Sequence, residues 1–475
     1  MRDILTRPMQ LITGFIGALY LTVNANATDL IDVYEAAKTS DAVLGAARAS
    51  YSATQQTIPQ ARSALLPSLG ASASTSWTER SFPGSRIMDP TSPLFGTELA
   101  DQEFNDHSYN AQLNQPLLDM NAWFSLGSAK ASVTAAEYDL GNTEQELIVR
   151  VVQAYLNVLR AQDLLDTTTA EETAVKRQLE QVQQRFDVGL VAITDVLESQ
   201  AAYDNTVVRR IQANGDHGIF FETLTTLSGQ TYEALNRLSE KLPIVNPNPV
   251  DEHEWVQTAM SRNLGILSAD AQLRSARRNV QARRAGHYPT IDATVTQVKS
   301  ITGAANFYGA DTTEQTIYGL QFNMPLYSGG LVRARTKEAK ALQSQSEELL
   351  LNQQRIVTRD TRNLYQAVAT DVVRVKARLK AIQSSQYALE ATQTGYEVGT
   401  RNIVDVLQAQ QRLFSSQFDY ADSRYNYVID LMRLKQVVGG LVPADLQELN
   451  TFTDPNDQVI RLVSLQNRSG NAVSN

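Results

Sequence analysis

Apolar and polar residues alternate in four short stretches of the chain, which come in two pairs. The stretch 68–77 alternates serine or glycine with larger side chains from Leu69 to Trp77, and 109–114 alternates Tyr109, Ala111 and Leu113 with amides. The residues after Pro289 and the stretch 318–323 form the second pair. A period of two predicts β-strands with one apolar face and one small polar face.

Helical patterns precede and follow each predicted strand pair. Helices are predicted over 29–66 and 252–288, and each ends at a proline. Asp119 and Ser328 then occupy matching positions as expected N-caps. No proline follows either cap for about 68 residues, which predicts helices roughly 100 Å long at about 1.5 Å per residue.

A second long helix is expected to run back from each of the first two. These returning helices are predicted to begin near Thr194 and Ile403 and to run towards 228 and 438. Gly215 and Gly218 lie within the first of them and are each expected to weaken it by roughly 1 kcal/mol.

Three matched segments indicate an internal duplication. FDVGLVAITDVLESQ, from Phe186, matches YEVGTRNIVDVLQAQ, from Tyr396, and two further pairs of segments match in the same order. The predicted organisation is a first repeat over 28–228, a linker over 229–264, a second repeat over 265–445 and a flexible polar tail over 446–475. Ordered matches at a nearly constant offset are typical of repeat architectures.

The first residues resemble a secretory signal peptide. Arg2 and Arg7 precede an apolar stretch over 9–23, and Ala25-Asn26-Ala27 supplies small residues for cleavage. We therefore expect residues 1–27 to be removed on export. The alternative is a membrane anchor, but the apolar run is shorter than the roughly 18–20 residues that a spanning helix needs.

Composition argues against several kinds of function. The 475 residues include no cysteine and four widely spaced histidines, and the formal net charge is −9. These features disfavour thiol chemistry, metal sites and nucleic-acid binding. No nucleophile–base, phosphate-loop or metal motif is present, so neither enzymatic activity nor a cofactor is expected.

Four strands per chain are too few to close a membrane barrel, because the smallest single-chain barrels have about eight. Several chains sharing one barrel would solve this, and three chains would supply twelve strands. Two alternatives remain open at this point. The strands could form an edge hairpin on a soluble sheet, or the protein could be a secreted or surface helical filament subunit.

The segments ARSALLPSLG, QPLLDMNAW, RFDVGLVAITDVL, MPLYSGGLV and GYEVGTRNIVDVL resemble the TolC family of outer-membrane channels. The resemblance covers about 29 to 445. It implies an α+β membrane protein of Gram-negative bacteria, in which a trimeric 12-stranded β-barrel is continued across the periplasm by a long α-helical barrel. It also implies a periplasmic adaptor and an inner-membrane transporter as partners, in tripartite efflux or type I secretion.

The resemblance further implies a closed periplasmic tip. Tyr396 and Arg401 would bond to Thr194 and Asp195, and Asp405 would project into the pore as a ring of carboxylates. Gln408 stands where the family often has a second pore-facing aspartate, so the single carboxylate ring is expected to bind multivalent cations more weakly. Gly189 and Gly399 are expected to allow the tight backbone at the two helix reversals.

Overall fold

The computed structural model describes residues 28–98, 101–303 and 312–462. The predicted signal peptide lies outside the described residues. The first half contains α1 (Leu30–Ser40), α2 (Ala42–Gln55), α3 (Thr57–Ser63), β1 (Ser68–Arg80), β2 (Gln102–Leu118), α4 (Met120–Asp187), α5 (Ile193–Ser228) and β3 (Ala234–Leu238). The second half contains α6 (Glu252–Arg262), α7 (Leu264–Arg284), β4 (Thr290–Thr302), β5 (Thr312–Asn323), α8 (Leu331–Glu397), α9 (Ile403–Val437), α10 (Pro443–Asn450) and β6 (Thr453–Ile460).

The four predicted strands pair into one antiparallel sheet in the order β1-β2-β4-β5. Leu69 lies opposite Leu113, Leu113 opposite Val295, and Val295 opposite Tyr318, so one row of the sheet is apolar. Because neighbouring residues of a strand point to opposite faces, serine, threonine and amide side chains form the other face. The expected alternation is therefore present around this row, whereas Gln297 and Lys299 of β4 interrupt the apolar face further along the sheet.

The long helices have the predicted lengths. α4 contains 68 residues and α8 contains 67. The side chain of Asp119 accepts a hydrogen bond from the Ala122 N–H at 3.0 Å, as predicted for an N-cap. The prediction for Ser328 was wrong, because Gly329 and Gly330 adopt positive φ after it and Gly330 is the N-cap of α8.

Two predicted helices are interrupted. The helix expected over 29–66 is divided at Asp41 and Gln56, and that expected over 252–288 is divided at Asn263. Asp41 and Asn263 each have an extended backbone and cap the helix that follows. Their short polar side chains satisfy backbone N–H groups at a helix start, which favours a new helix there. α5, in contrast, runs unbroken through Gly215 and Gly218.

The segment 446–462 does not form the flexible tail that was expected. α10 extends to Asn450, and β6 pairs antiparallel with β3. Leu446, Leu449 and Val459 are buried, so apolar packing holds this segment against the body of the protein. The rest of the expected tail, 463–475, lies outside the described residues.

The largest core joins the middle of the long helices to the short elements around them. It includes Leu147 to Leu159 of α4 and Tyr425 to Leu434 of α9, together with buried residues of α1, β3, α10 and β6. Across the described ranges, no helix is both long enough and apolar enough to cross a membrane. A second, smaller core lies where α4 and α8 end.

Candidate gating site at the helix reversals

Two helix reversals with the same backbone geometry lie at the ends of α4 and α8. Gly189 has φ of 80° and Gly399 has φ of 79°, a region that residues with a Cβ rarely adopt. The Gly189 N–H donates to the Phe186 carbonyl at 2.8 Å, and the Gly399 N–H donates to the Tyr396 carbonyl at 3.1 Å. Each predicted reversal glycine therefore ends a long helix and turns the chain back into α5 or α9.

An apolar cluster packs the first reversal against the second. We call it the tip cluster, and its buried members are Val182, Val196, Leu389, Tyr396, Ile403, Val406, Ala409 and Leu413. They come from all four helices that meet at the reversals. The α4–α5 hairpin and the α8–α9 hairpin thus share one small core, separate from the large core in the middle of the protein.

Tyr396 is the aromatic member of the tip cluster and is 9% exposed. Its hydroxyl is buried and has no hydrogen-bond partner within the part of the chain that the structure describes. The guanidinium of Arg185 lies over the ring, 5.1 Å from its centroid. Burial raises the pKa of Tyr396, the nearby Arg185 charge opposes this, and the Asp195 charge adds to it. The expected hydrogen bond from Tyr396 to Thr194 or Asp195 is therefore not formed within one chain.

Arg401 also has a different partner from the expected one. Its Nη1 lies 3.8 Å from Oδ2 of Asp405, one turn further along the chain, and both side chains are substantially exposed. Asp405 additionally caps α9 together with Asn402, whose side chain accepts the Asp405 N–H at 2.8 Å. Within one chain, Arg401 thus pairs with Asp405 of its own hairpin and does not contact Thr194 or Asp195.

Thr194 and Asp195 lie in the first turn of α5. The Thr194 hydroxyl is 3.4 Å from Oδ1 of Asp195, and Ala192, the N-cap residue, provides no side-chain cap. A carboxylate in the first turn of a helix is favoured by the helix dipole. Both side chains therefore belong to the first reversal.

Gln408 is exposed and lies one turn after Asp405 on α9. Positions three or four apart share a helix face, so Asp405 and Gln408 point to the same side of α9. Arg412, also exposed, extends this face, and its Nε donates to the Gln408 carbonyl at 3.3 Å. The expected pore residues thus share one face, which also carries a positive charge.

Sequence reasoning missed Arg185 and Arg412. Arg185 stands in the first repeat where the second has Gly395, a difference visible when the repeats are aligned. A Cβ at Gly395 would lie 2.8 Å from Cγ of Arg401, so this glycine makes room for the Arg401 side chain. Arg412 was identifiable from its spacing of seven residues from Asp405. Across the described residues, no group of three or more acidic or histidine side chains is arranged to hold a metal ion.

Comparison with known proteins gives consistent matches over nearly the whole chain. The sequence profile of the family described as Outer membrane efflux protein matches residues 33–230 and 255–440. The outer membrane protein TolC of Vibrio cholerae serotype O1 is 31% identical over 446 residues, covering 93% of this chain and 98% of the relative. The alkaline protease secretion protein AprF of Pseudomonas aeruginosa is 27% identical over 444 residues, covering 92% and 90%. The two profile matches correspond to the two repeats.

A solved structure has the same fold. The Campylobacter jejuni CmeC outer membrane channel aligns with a TM-score of 0.71 and 17% sequence identity, and the alignment covers 95% of this chain and 98% of that one. The likeness therefore includes the strand pairs, the long helices and the short elements around the middle.

Proposed function

The chain belongs to the outer membrane efflux protein family, and from that premise we propose how it forms a closed duct. The protein lies in the outer membrane and is an exit duct for efflux and type I secretion, not an enzyme. We propose that residues 1–27 direct its export and that the repeats 28–228 and 265–445, joined by 229–264, build the duct wall.

The unpaired edges of the sheet are the main support for a barrel shared between chains. Within the described residues, β1 and β5 are the outer strands of the sheet, and each leaves one edge unpaired. Unpaired edges beside an exposed apolar face favour association, and Tyr318 and Leu320 on that face are 79% and 71% exposed. Three copies joined edge to edge would form a closed barrel of twelve strands, with the apolar face towards lipid and the serine and amide face towards the lumen.

The long helices support the same arrangement below the sheet. α5 exposes Val208, Ile211 and Ile219, and α8 exposes Val373 and Leu379. Apolar side chains on helices that already pack on their other faces favour contact with further helices. In a trimer these faces would meet those of neighbouring protomers and form the wall of an α-helical barrel.

The tip residues would then close this barrel. Asp405 and Gln408 would line the narrowest part of the pore, where symmetry repeats each side chain three times. Because Arg401 does not reach Thr194 or Asp195 within one chain, we place their contact between neighbouring protomers. Exposed ion pairs contribute about 0.2–1 kcal/mol each, so three copies form a latch weak enough for a docking partner to open. The proposed partners are a periplasmic adaptor and an inner-membrane transporter.

Single-channel conductance in planar bilayers tests the proposal. The purified wild-type trimer should give a small conductance, and Arg401→Ala should raise it several-fold. Arg359→Ala is the matched control, because Arg359 is an exposed arginine of α8 far from the reversals. An unchanged conductance for Arg401→Ala would remove Arg401 from the latch. A folded oligomer without channel activity would instead favour the helical filament subunit.

A further inference from the structure

The contact between Arg185 and Tyr396 joins the two hairpins at the tip. Arg185 lies in the last turn of α4, and Tyr396 is one residue before the end of α8. The guanidinium carbon is 5.1 Å from the ring centroid, within the distance at which a cation is attracted to the face of an aromatic ring. A movement of one hairpin relative to the other would separate these two side chains.

The hydroxyl of Tyr396 does not contribute to holding the hairpins together within one chain. It is buried and has no partner among the described residues, although the Asp195 charge lies close enough to raise the pKa of Tyr396. An unpaired buried hydroxyl disfavours the packed state, because the group has lost its hydrogen bonds to water. The ring and not the hydroxyl therefore makes the favourable contact.

Arg185 is suited to this contact. Among the described residues it has no carboxylate within ion-pair distance, so its charge is not neutralised by a salt bridge. Its side chain is half-buried beside the tip cluster, where removal of water strengthens a cation–π contact. The ion pair between Arg401 and Asp405, in contrast, is exposed to solvent and lies within one hairpin.

We propose that stacking of Arg185 on Tyr396 holds the second hairpin against the first in the closed tip, and that opening breaks this contact. The inference rests on the proposed function, since it assigns a closing role to residues of that duct. Arg185 is thus a gating residue of the first repeat, and the ring of Tyr396 is the surface on which it acts.

The experiment compares single-channel conductance of purified trimers carrying Tyr396→Phe, Tyr396→Leu, Arg185→Met or Arg185→Lys. Arg177→Ala is the control, since Arg177 is an exposed arginine of the same helix about two turns earlier. Tyr396→Leu and Arg185→Met should each raise the conductance several-fold, whereas Tyr396→Phe should raise it far less. The double variant Arg185→Met/Tyr396→Leu breaks the same contact as either single change. Its conductance should therefore exceed that of the more open single variant by no more than about twofold.

Three outcomes would overturn the inference. Equal opening by Tyr396→Phe and Tyr396→Leu would assign the latch to the hydroxyl, and an unchanged conductance for Arg185→Met would show that Arg185 does not act there. Opening by Arg401→Ala without opening by either Arg185 variant would reject this contact while leaving the duct proposal in place. Size-exclusion chromatography is used to check that each variant has the same oligomeric state as the wild type. Arg185→Lys, which retains the charge, should open the tip less than Arg185→Met.

Discussion

Arg150 donates two hydrogen bonds to the carboxylate of Asp41, from Nη1 at 2.9 Å and from Nη2 at 2.7 Å. The same carboxylate accepts the Leu44 N–H at 2.8 Å and so caps α2. The pair links the break between α1 and α2 to the middle of α4, 109 residues away in the chain. The hydrogen bond from Arg150 is the main reason that the pKa of Asp41 is lowered.

Replacing Asp41 should therefore destabilise the protein through two losses. Asp41→Ala removes both the cap and the ion pair, and we expect a decrease of about 2–4 kcal/mol in the free energy of unfolding. Asp41→Asn keeps a capping oxygen and should cost less. Because the native state lowers this pKa, the stabilisation is present above the ordinary carboxyl pKa and is lost as the pH falls below it. Denaturant unfolding in detergent at several pH values measures both effects. If the losses in free energy of unfolding for Asp41→Ala and Arg150→Ala simply add in the double variant, the two side chains are not paired.

Asp371 should show the opposite pH dependence. Its side chain is 1% exposed, and its pKa is raised to about 6, mainly by burial, with Arg374 opposing and Asp430 and Asp422 adding to the shift. Since the native state favours the protonated acid, its contribution is fully present below the ordinary pKa and lost as the pH rises through about 6.

Asp371→Asn tests this prediction, because the amide cannot ionise. Relative to wild type, the variant should gain roughly 1–3 kcal/mol in stability between pH 4 and pH 8. Thermal unfolding of both proteins across this range provides the measurement. A difference between them that does not change with pH would mean that Asp371 does not titrate there.

The two faces of the sheet predict different responses to a charge. Leu320 lies on the apolar face of β5 and Gln321 on the polar face. If the apolar face contacts lipid, Leu320→Lys should destabilise the folded protein in lipid vesicles by about 2–4 kcal/mol, and Gln321→Lys should have little effect. The reverse order of the two effects would mean that the apolar face is not the lipid-facing one.

Gly399 provides a test of the reversal geometry. An alanine there must adopt a left-handed backbone, so Gly399→Ala should lower stability by about 1–2 kcal/mol. Gly45 is the control because it lies inside α2 with nothing within 4 Å of an added Cβ, and Gly45→Ala should instead stabilise the helix by about 0.5–1 kcal/mol. Thermal unfolding measures both effects. If Gly399→Ala changed the stability no more unfavourably than Gly45→Ala does, the backbone at the reversal would not be strained.

Local patterns predicted much of the fold. Alternation identified the strands, absence of proline identified the long helices, and the repeat located both reversals, because each of these signals is contained within a short segment. The break at Asp41 also had a local signal, since an aspartate can cap a new helix. That signal was overlooked inside an otherwise helical pattern.

Contacts between distant segments were harder to predict. β6 pairs with β3, which lies more than two hundred residues earlier in the chain. Val459 is the one buried residue of β6, and the rest of this strand is mostly polar, so its sequence resembles a flexible tail. The stacking of Arg185 on Tyr396 likewise depends on how two hairpins pack, which the spacing within either hairpin does not determine. The latch expected from family resemblance named residues that lie at the two reversals, but the contacts expected between them are not formed within the chain.

The charge pattern along α9 predicts the ion selectivity of the duct. Asp405, Gln408 and Arg412 share one helix face, with Arg412 about 10 Å beyond Asp405 at about 1.5 Å per residue. If this face lines the pore, a trimer places three guanidinium groups beyond three carboxylates, and the positive charges oppose the attraction of the acidic ring for cations. Arg412→Ala should therefore shift the reversal potential in a KCl gradient towards that of potassium, Asp405→Ala should shift it the opposite way, and Gln408→Ala should leave it nearly unchanged. A reversal potential unaffected by Arg412→Ala would mean that this face of α9 points away from the pore at that level.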